Sequence, residues 1–208
     1  MCIRDRNYTI GQAAYFAGSS YTKNSDLLQE IDYVLKNLSS AVNQTVYFSV
    51  LSGGEVLYLL EERVPTPITI QAKRGYKYPA YATGIGKALL SGKTEKDIKT
   101  MYSEGLYKLT EHTIDDFDTL FSQMEETRKS GYSFEKEESN RDVQCIAVPV
   151  KYKENVIAGM SVAVPVFYYS EEFEKKAMEE LKKAKQHIEK LIQDNAQEWI
   201  YSPLETEV

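Results

Sequence analysis

The chain has 208 residues, of which 42% are hydrophobic and 27% are charged, and its formal net charge is -6. The apolar share is too high for a disordered chain, and the length suits one well-packed domain. An acidic balance disfavours a free-standing nucleic-acid binder, because such a protein needs a basic face.

The ends of the chain and its cysteines bear on where the protein works. No run approaches the roughly 18 consecutive apolar residues of a membrane-spanning helix, and the first residues lack the apolar stretch of a signal peptide. The two cysteines, Cys2 and Cys145, are too few for a disulfide framework. We therefore expect a cytoplasmic protein with no membrane association.

The N-terminal part of the chain predicts a helix followed by a β-hairpin. Apolar residues repeat on one helical face over residues 24–42. Residues 45–51 and 55–63 are rich in β-branched and aromatic residues, and Ser52-Gly53-Gly54 separates them. A glycine pair between two strand-like runs is typical of a hairpin turn.

The middle of the chain predicts one more strand and three helices. Residues 68–70 form a short β-branched run, and residues 75–79 are typical of a turn. Short helices are predicted at residues 84–90 and 94–102. A third helical repeat runs from residue 114 to a stop at a glycine, position 131.

The C-terminal part predicts three strands and a long helix, at residues 133–138, 143–150, 156–164 and 171–195. Strands joined by short turns pair antiparallel, because a parallel crossover needs a dozen or more residues. The sequence therefore predicts an α+β fold, with one antiparallel sheet and helices packed on it. Nothing in the sequence indicates a second domain.

The most informative motif is Thr83-Gly84-Ile85-Gly86, where a loop passes into a helix. Glycines at this point let the backbone approach a ligand, and the first amides of a helix favour a carboxylate or phosphate. The alternative is a tight turn whose glycines only permit close packing. A P-loop is excluded because Ala88 follows Lys87, where that motif needs Ser or Thr.

A second candidate region contains Glu135 and Cys145. On a strand, Glu135 and Glu137 share one face while Lys136 and Glu138 share the other, which is also typical of a solvent-exposed edge strand. Cys145 lies in an apolar run, where a free cysteine is usually an inert, buried side chain. Both regions therefore keep a purely structural interpretation.

The residues needed for catalysis or metal binding are scarce. The chain has only two histidines, His112 and His187, and neither has a partner at zinc-ligand spacing. A nucleophile–base pair of Cys145 and His112 has no local signature in its favour. We expect no metal, no cofactor and no enzymatic activity.

Taken together, the motifs resemble the effector-binding domain of the IclR family of bacterial transcription regulators. The resemblance covers roughly residues 8–200 and rests on the order and spacing of six short segments. These segments are residues 8–11, 55–59, 81–90, 131–138, 145–149 and 159–162.

The resemblance implies a fold related to GAF and PAS sensors, with an antiparallel sheet of about six strands flanked by helices. It also implies a small-molecule effector, often a carboxylate or aromatic acid, whose binding alters the geometry of a homodimer or homotetramer. That change alters the DNA binding of an N-terminal winged helix-turn-helix domain, which is absent from this chain. On this basis residues 1–20 are a leader and linker remnant, residues 21–200 the effector-binding domain and residues 201–208 a tail.

The resemblance further implies a set of ligand-binding residues. The amides of Gly84 and Ile85 correspond to those that hold the effector carboxylate, with Thr83 and Gly86 beside them. Three side chains correspond to polar pocket positions, and these are Glu135, Cys145 and Ser161. The chain departs from the family at Ala163, where a second pocket hydroxyl is missing, so the resemblance favours a more apolar ligand.

Two other functions remain open at this point. The first is a GAF-type redox enzyme that uses Cys145 as its nucleophile. The second is a dimerisation module that has lost its ligand. The redox enzyme is distinguished from a sensor by a reductase activity that Cys145→Ser abolishes. The ligand-free module is distinguished by whether the space between Gly84, Glu135 and Cys145 is open.

Overall fold

The computed structural model describes residues 26–64 and 77–196. Within these residues the chain forms five α-helices and six strands. The helices are α1 (Asp26–Val42), α2 (Gly84–Leu90), α3 (Glu95–Met101), α4 (Phe117–Ser130) and α5 (Glu171–Asp194). The strands are β1 (Thr45–Ser52), β2 (Glu55–Glu62), β3 (Lys77–Pro79), β4 (Ser133–Lys136), β5 (Val143–Tyr152) and β6 (Asn155–Pro165).

The six strands form a single antiparallel sheet in the order β3-β2-β1-β6-β5-β4. The order follows from the connections, because β1–β2 and β5–β6 are tight hairpins whose strands must be neighbours. Gly53 and Gly54 turn the first hairpin with φ values of 58° and 83°, a pair of left-handed residues that suits a two-residue turn. The predicted α+β fold with about six strands is confirmed.

The two faces of the sheet carry separate hydrophobic cores because side chains alternate along each strand. On β1, Phe48 packs with α1 and α5, whereas Tyr47 packs on the opposite face with α2 and α4. The predicted apolar face of α1 is buried against the first core. Its buried members are Leu27, Leu28, Ile31, Val34, Leu35, Leu38 and Val42.

Two strand predictions need correction. Residues 77–79 were expected in a turn, but Lys77–Pro79 pair with β2 as the edge strand β3. A strand of three residues is too short to show an alternating pattern, and Pro79 stands at its end, where no ladder donor is needed. The strand predicted at residues 68–70 lies outside the described residues.

The strand predicted at residues 133–138 ends early, at Lys136. Glu137 has a left-handed φ of 57°, which turns the chain away from the sheet. β4 is an edge strand, as one interpretation of its charges proposed, but Glu135 and Glu138 are buried rather than exposed. The alternating charge pattern could not predict this early end, because nothing in the sequence marks Glu137 as left-handed in the way that a glycine would.

The long C-terminal helix α5 confirms its predicted position. The Ser170 hydroxyl accepts a hydrogen bond from the Phe173 amide and caps the helix. None of the helices in residues 26–64 and 77–196 combines the length and apolarity that crossing a membrane requires. The predicted domain boundaries, near residues 20 and 200, lie outside the described residues and remain predictions.

We predict that Gly86→Ala destabilises the fold. A Cβ at Gly86 would overlap the backbone carbonyl oxygen of Ala80, which cannot move aside as a flexible side chain would. The free energy of unfolding, measured by urea denaturation, should fall by about 3 kcal/mol or more.

The control is Gly105→Ala, a glycine with a positive φ and no atom within 4 Å of a built Cβ. Its cost should be about 1 kcal/mol, from backbone conformation alone. Equal losses in the two variants would contradict the proposed clash at Gly86.

Candidate functional site

The start of α2 presents two unpaired backbone amides. Thr83 is extended at the N-cap, and its hydroxyl accepts a hydrogen bond of 3.0 Å from the Gly86 amide. Its carbonyl accepts one of 2.9 Å from the Lys87 amide. Within the described residues, the Gly84 and Ile85 amides have no acceptor. They are the orphan donors that a helix N-terminus leaves over, and they carry partial positive charge.

The two residues that carry these amides, Gly84 and Ile85, line a small cavity between α2 and the sheet. Five of the seven predicted site residues line it, namely Thr83, Gly84, Ile85, Cys145 and Ser161. The cavity has a volume of about 20 Å³. That is room for one water molecule, whereas ligand pockets usually measure several hundred Å³. A metabolite therefore fits only after the walls move.

The register of the sheet builds the floor of the cavity. Ser161 on β6 lies opposite Tyr47 on β1 and Ala147 on β5. Two residues further along β6, Ala163 lies opposite Cys145 and also lines the cavity. Ala163, where the sequence analysis noted the loss of a pocket hydroxyl, is therefore part of the cavity wall.

Three tyrosines that the sequence analysis missed form an aromatic side of the cavity. The rings of Tyr47 and Tyr58 meet edge to face at 5.1 Å, and those of Tyr58 and Tyr78 at 6.4 Å. Burial raises the pKa of Tyr47 and of Tyr58, so both phenols are neutral at physiological pH. The sequence offered one signal for this aromatic side, namely that the alternation of side chains along β1 and β2 places Tyr47 and Tyr58 on the same face of the sheet.

The other two predicted residues, Gly86 and Glu135, do not line this cavity, and Glu135 lines a separate, open cleft of about 610 Å³ that Cys145 also borders. A Cβ on Gly84 would come within 3.1 Å of the Cys145 Cβ and 3.3 Å of the Glu135 Cβ. The space between these three residues is therefore closed, and the hollow lies on the side of Tyr47 and Ser161. The ligand-binding role of all seven residues stays a prediction.

A buried ion pair joins α2 to the chain that follows β4. The Lys87 ammonium on α2 donates to Glu138 Oε1 over 2.6 Å and to Gln123 Oε1 over 2.8 Å. The Lys87 side chain is only 1% exposed and that of Glu138 9%. A charge with so little solvent around it requires a close partner. The sequence analysis used Lys87 only to reject a P-loop and missed the pair.

Comparison with known proteins identifies this architecture. The family described as bacterial transcriptional regulator IclR C-terminal matches residues 19–190. The chain belongs to the IclR family.

Relatives and solved structures agree with this assignment. The HTH-type transcriptional regulator KdgR of Dickeya chrysanthemi is 28% identical over 167 residues, covering 79% of this chain and 55% of KdgR. The crystal structure of the C-terminal domain of E. coli KdgR is 28% identical, with a TM-score of 0.70, and covers 81% of this chain and 99% of that domain.

A third comparison concerns a domain with a bound acid. It is the inducer-binding domain of a PobR double mutant from Acinetobacter in complex with 3-hydroxybenzoic acid, with a TM-score of 0.70 at 24% identity. It covers 77% of this chain and 96% of that one. At this identity the likeness shows the shared fold.

The relatives are transcription regulators, which confirms that this IclR-family domain is not an enzyme. The chemistry of Cys145 agrees. Burial, together with the negative charge of Glu135, raises the pKa of the Cys145 thiol well above its usual value, so little reactive thiolate forms. His112 is exposed beside Glu111, and the described residues contain no metal-binding cluster.

Glu135 is the most perturbed carboxyl group near the cavity of this IclR-family domain. Its Oε1 accepts hydrogen bonds from the amides of Glu138 and Ser139, over 2.6 and 3.0 Å, while its Oε2 has no partner in the described part of the chain. Burial raises the pKa of Glu135 to about 7, and the charge of Glu138 adds to the rise, while the Ser139 amide, the Cys145 thiol and the Lys87 ammonium oppose it.

We predict that Glu135 makes the domain less stable as pH rises. Its folded pKa is about 7, above the ordinary value of 4.5. The protonated carboxyl therefore contributes its full stability to the fold below about pH 4.5, and this contribution is lost as the pH rises to about 7. Glu135→Gln mimics the neutral form and removes this dependence. The stability advantage of the variant should therefore grow by about 2 kcal/mol between about pH 5 and about pH 8.

Urea denaturation at both pH values measures the difference. Glu154→Gln, in the exposed turn between β5 and β6, is the matched control and should show no comparable change. A Glu135→Gln advantage that is the same at both pH values would show that the native carboxyl titrates normally.

Proposed function

We propose that this IclR-family domain is the effector-sensing part of a cytoplasmic transcription regulator and that its effector is a small carboxylate or aromatic acid. The observation that carries the proposal is the pair of unpaired amides of Gly84 and Ile85, two residues that line the cavity. Backbone donors at a helix N-terminus suit an anion. No lysine or arginine of the described residues lines the cavity, so these amides are its main source of positive potential.

The walls favour an acid with an apolar body. Tyr47, Tyr58 and Tyr78 offer ring faces and edges, and Ala163 offers a methyl group where a hydroxyl was expected. Aromatic guests pack edge to face or offset against such rings. The PobR domain, which has the same fold, is known in complex with 3-hydroxybenzoic acid. That complex supports an aromatic acid as one class to test.

The output of the domain is a change in DNA binding. Effector binding alters the geometry of a homodimer or homotetramer and thereby the DNA contacts of a winged helix-turn-helix domain beyond this chain. The support is the name of its relative KdgR, an HTH-type regulator, of which this chain spans 55%.

A second candidate function is an oligomerisation module that binds no ligand. The cavity volume of about 20 Å³ favours it, because the space admits no metabolite in the described conformation. The two functions differ in whether an added acid stabilises the protein.

We predict that a small acid raises the melting temperature of the wild-type domain and that Gly84→Pro abolishes this effect while Gly84→Ala keeps it. Both variants add the same Cβ beside Cys145, but only proline removes the amide hydrogen. Thr83 is extended, with φ -128° and ψ 145°, as a residue before proline should be, and proline is accepted at the first position of a helix.

The probes are acetate, propionate and benzoate with their hydroxylated counterparts glycolate, lactate and 3-hydroxybenzoate. Thermal shift detects binding, and titration calorimetry then measures Kd. Proline should weaken binding about tenfold or more relative to alanine, the loss of one hydrogen bond to a charged group. If no acid stabilises the wild-type protein, the oligomerisation module is the better interpretation.

A further inference from the structure

The β4–β5 loop, residues 137–142, forms a narrow, closed connection. Both of its ends have a left-handed backbone, with φ 57° at Glu137 and 62° at Asp142. The Glu137 amide donates to the Val143 carbonyl over 2.8 Å, and the Asp142 amide donates to the Glu137 carboxylate over 3.0 Å. These bonds close the base of the loop and leave its middle to project towards the cavity.

Two polar residues in the middle of this loop line the cavity, Ser139 and Asn140. The Asn140 side-chain amide donates to the Ser139 hydroxyl over 3.4 Å, a long bond. The Asn140 amide oxygen and the Ser139 hydroxyl hydrogen retain their capacity to bond a guest. They share the cavity with the Gly84 and Ile85 amides, so one small molecule can meet both groups.

The loop is attached to the same helix that carries those amides. The carboxylate of Glu138 is paired with Lys87, the fourth residue of α2. On the other side, the Thr113 hydroxyl donates to the Glu138 carbonyl and the Thr110 hydroxyl to the Glu137 carbonyl, each over 2.6 Å. The position of Ser139 relative to the α2 amides is thus determined by a buried contact one residue away.

We propose that Ser139 and Asn140 contact the effector beside the α2 amides and that the Lys87–Glu138 pair positions them. The proposal rests on the proposed function and narrows it. The effector is an acid that carries a second polar group, a hydroxyl or an oxo group, which Ser139 and Asn140 bind while the amides bind the carboxylate. Ala163 has no polar group to offer, whereas Ser139 and Asn140 bring a hydroxyl and an amide to the same cavity.

The buried pair suits a positioning role better than a stabilising one. Removing two charges from water costs about as much as their attraction returns, so such a pair adds little net stability. It does fix geometry, because Lys87 and Glu138 must meet within 2.6 Å while Gln123 holds the ammonium from α4. A site that recognises a small acid needs its polar groups held in this way.

Asn140→Ala tests the contact. Calorimetry compares each hydroxy acid with its unsubstituted partner, glycolate with acetate, lactate with propionate and 3-hydroxybenzoate with benzoate. We expect at least one hydroxy acid to bind the wild type about fivefold more tightly than its partner, since one neutral hydrogen bond is worth about 1 kcal/mol. Asn140→Ala should remove that preference and leave the Kd of the unsubstituted acid unchanged.

The control is Asn155→Ala, an exposed asparagine at the start of β6, which should behave as wild type. A hydroxyl preference that survives Asn140→Ala overturns the contact and leaves acid sensing intact. Equal affinity for both members of every pair overturns it as well. Failure of every acid to bind the wild type overturns the proposed function and this inference together.

The double variant Lys87→Met with Glu138→Gln tests the positioning role without leaving one charge buried alone. Hydrogen exchange should accelerate about tenfold or more at the Glu138 and Ser139 amides, because the loop opens more often. The hydroxy acid should lose affinity and the unsubstituted acid should not. The matched control removes an exposed pair of the same types, Lys183→Met with Glu179→Gln on α5.

A purely structural role for the pair has a different signature. In that case the double variant would bind both acids more weakly by the same factor, and hydrogen exchange would accelerate across the whole domain. Either that result or unchanged exchange at Glu138 and Ser139 would overturn the positioning role.

Discussion

The candidate site depends on how closely α2 packs against its surroundings. Three glycines make this approach possible, because a Cβ at Gly84, Gly86 or Gly159 would press on Cys145, Ala80 or Ile85 respectively. A side chain at Gly86 or Gly159 would push the helix away from the sheet, whereas a Cβ at Gly84 meets its nearest side-chain atoms at 3.1 and 3.3 Å, which a shift of a few tenths of an ångström relieves. The positive potential of the site therefore comes from backbone geometry, and side chains contribute the shape of the walls and the uncharged polar groups.

The electrostatics of the site follow from the same close approach. Lys87 is held against Glu138 and Gln123, so the cavity receives its positive potential from amides rather than from a mobile cation. Glu135 supplies the opposing charge, and its pKa of about 7 means that a proton neutralises it at small cost near physiological pH. An anionic guest and Glu135 are therefore compatible, because the guest raises the pKa further and the carboxyl becomes neutral.

Local patterns predicted α1, the Gly53-Gly54 hairpin and the glycine motif before α2, since each depends on residues close together in sequence. The pairing of Lys87 with Glu138 spans 51 residues and has no local signal. The left-handed Glu137 ends β4 without a glycine to announce it. The three tyrosines and the size of the cavity are products of tertiary packing, so only the family resemblance indicated where a pocket would be.

A cavity of about 20 Å³ and a sensor function are consistent if the closed form is one of two states. An effector shifts the population of the two states only if its affinities for them differ. The closed cavity has no room for the effector, so the affinity difference between the open and closed states is as large as possible. Opening then displaces the tyrosines, which lie on the adjacent strands β1, β2 and β3. A pocket that were already open could bind the same acid without changing the protein, and it would therefore have nothing to signal.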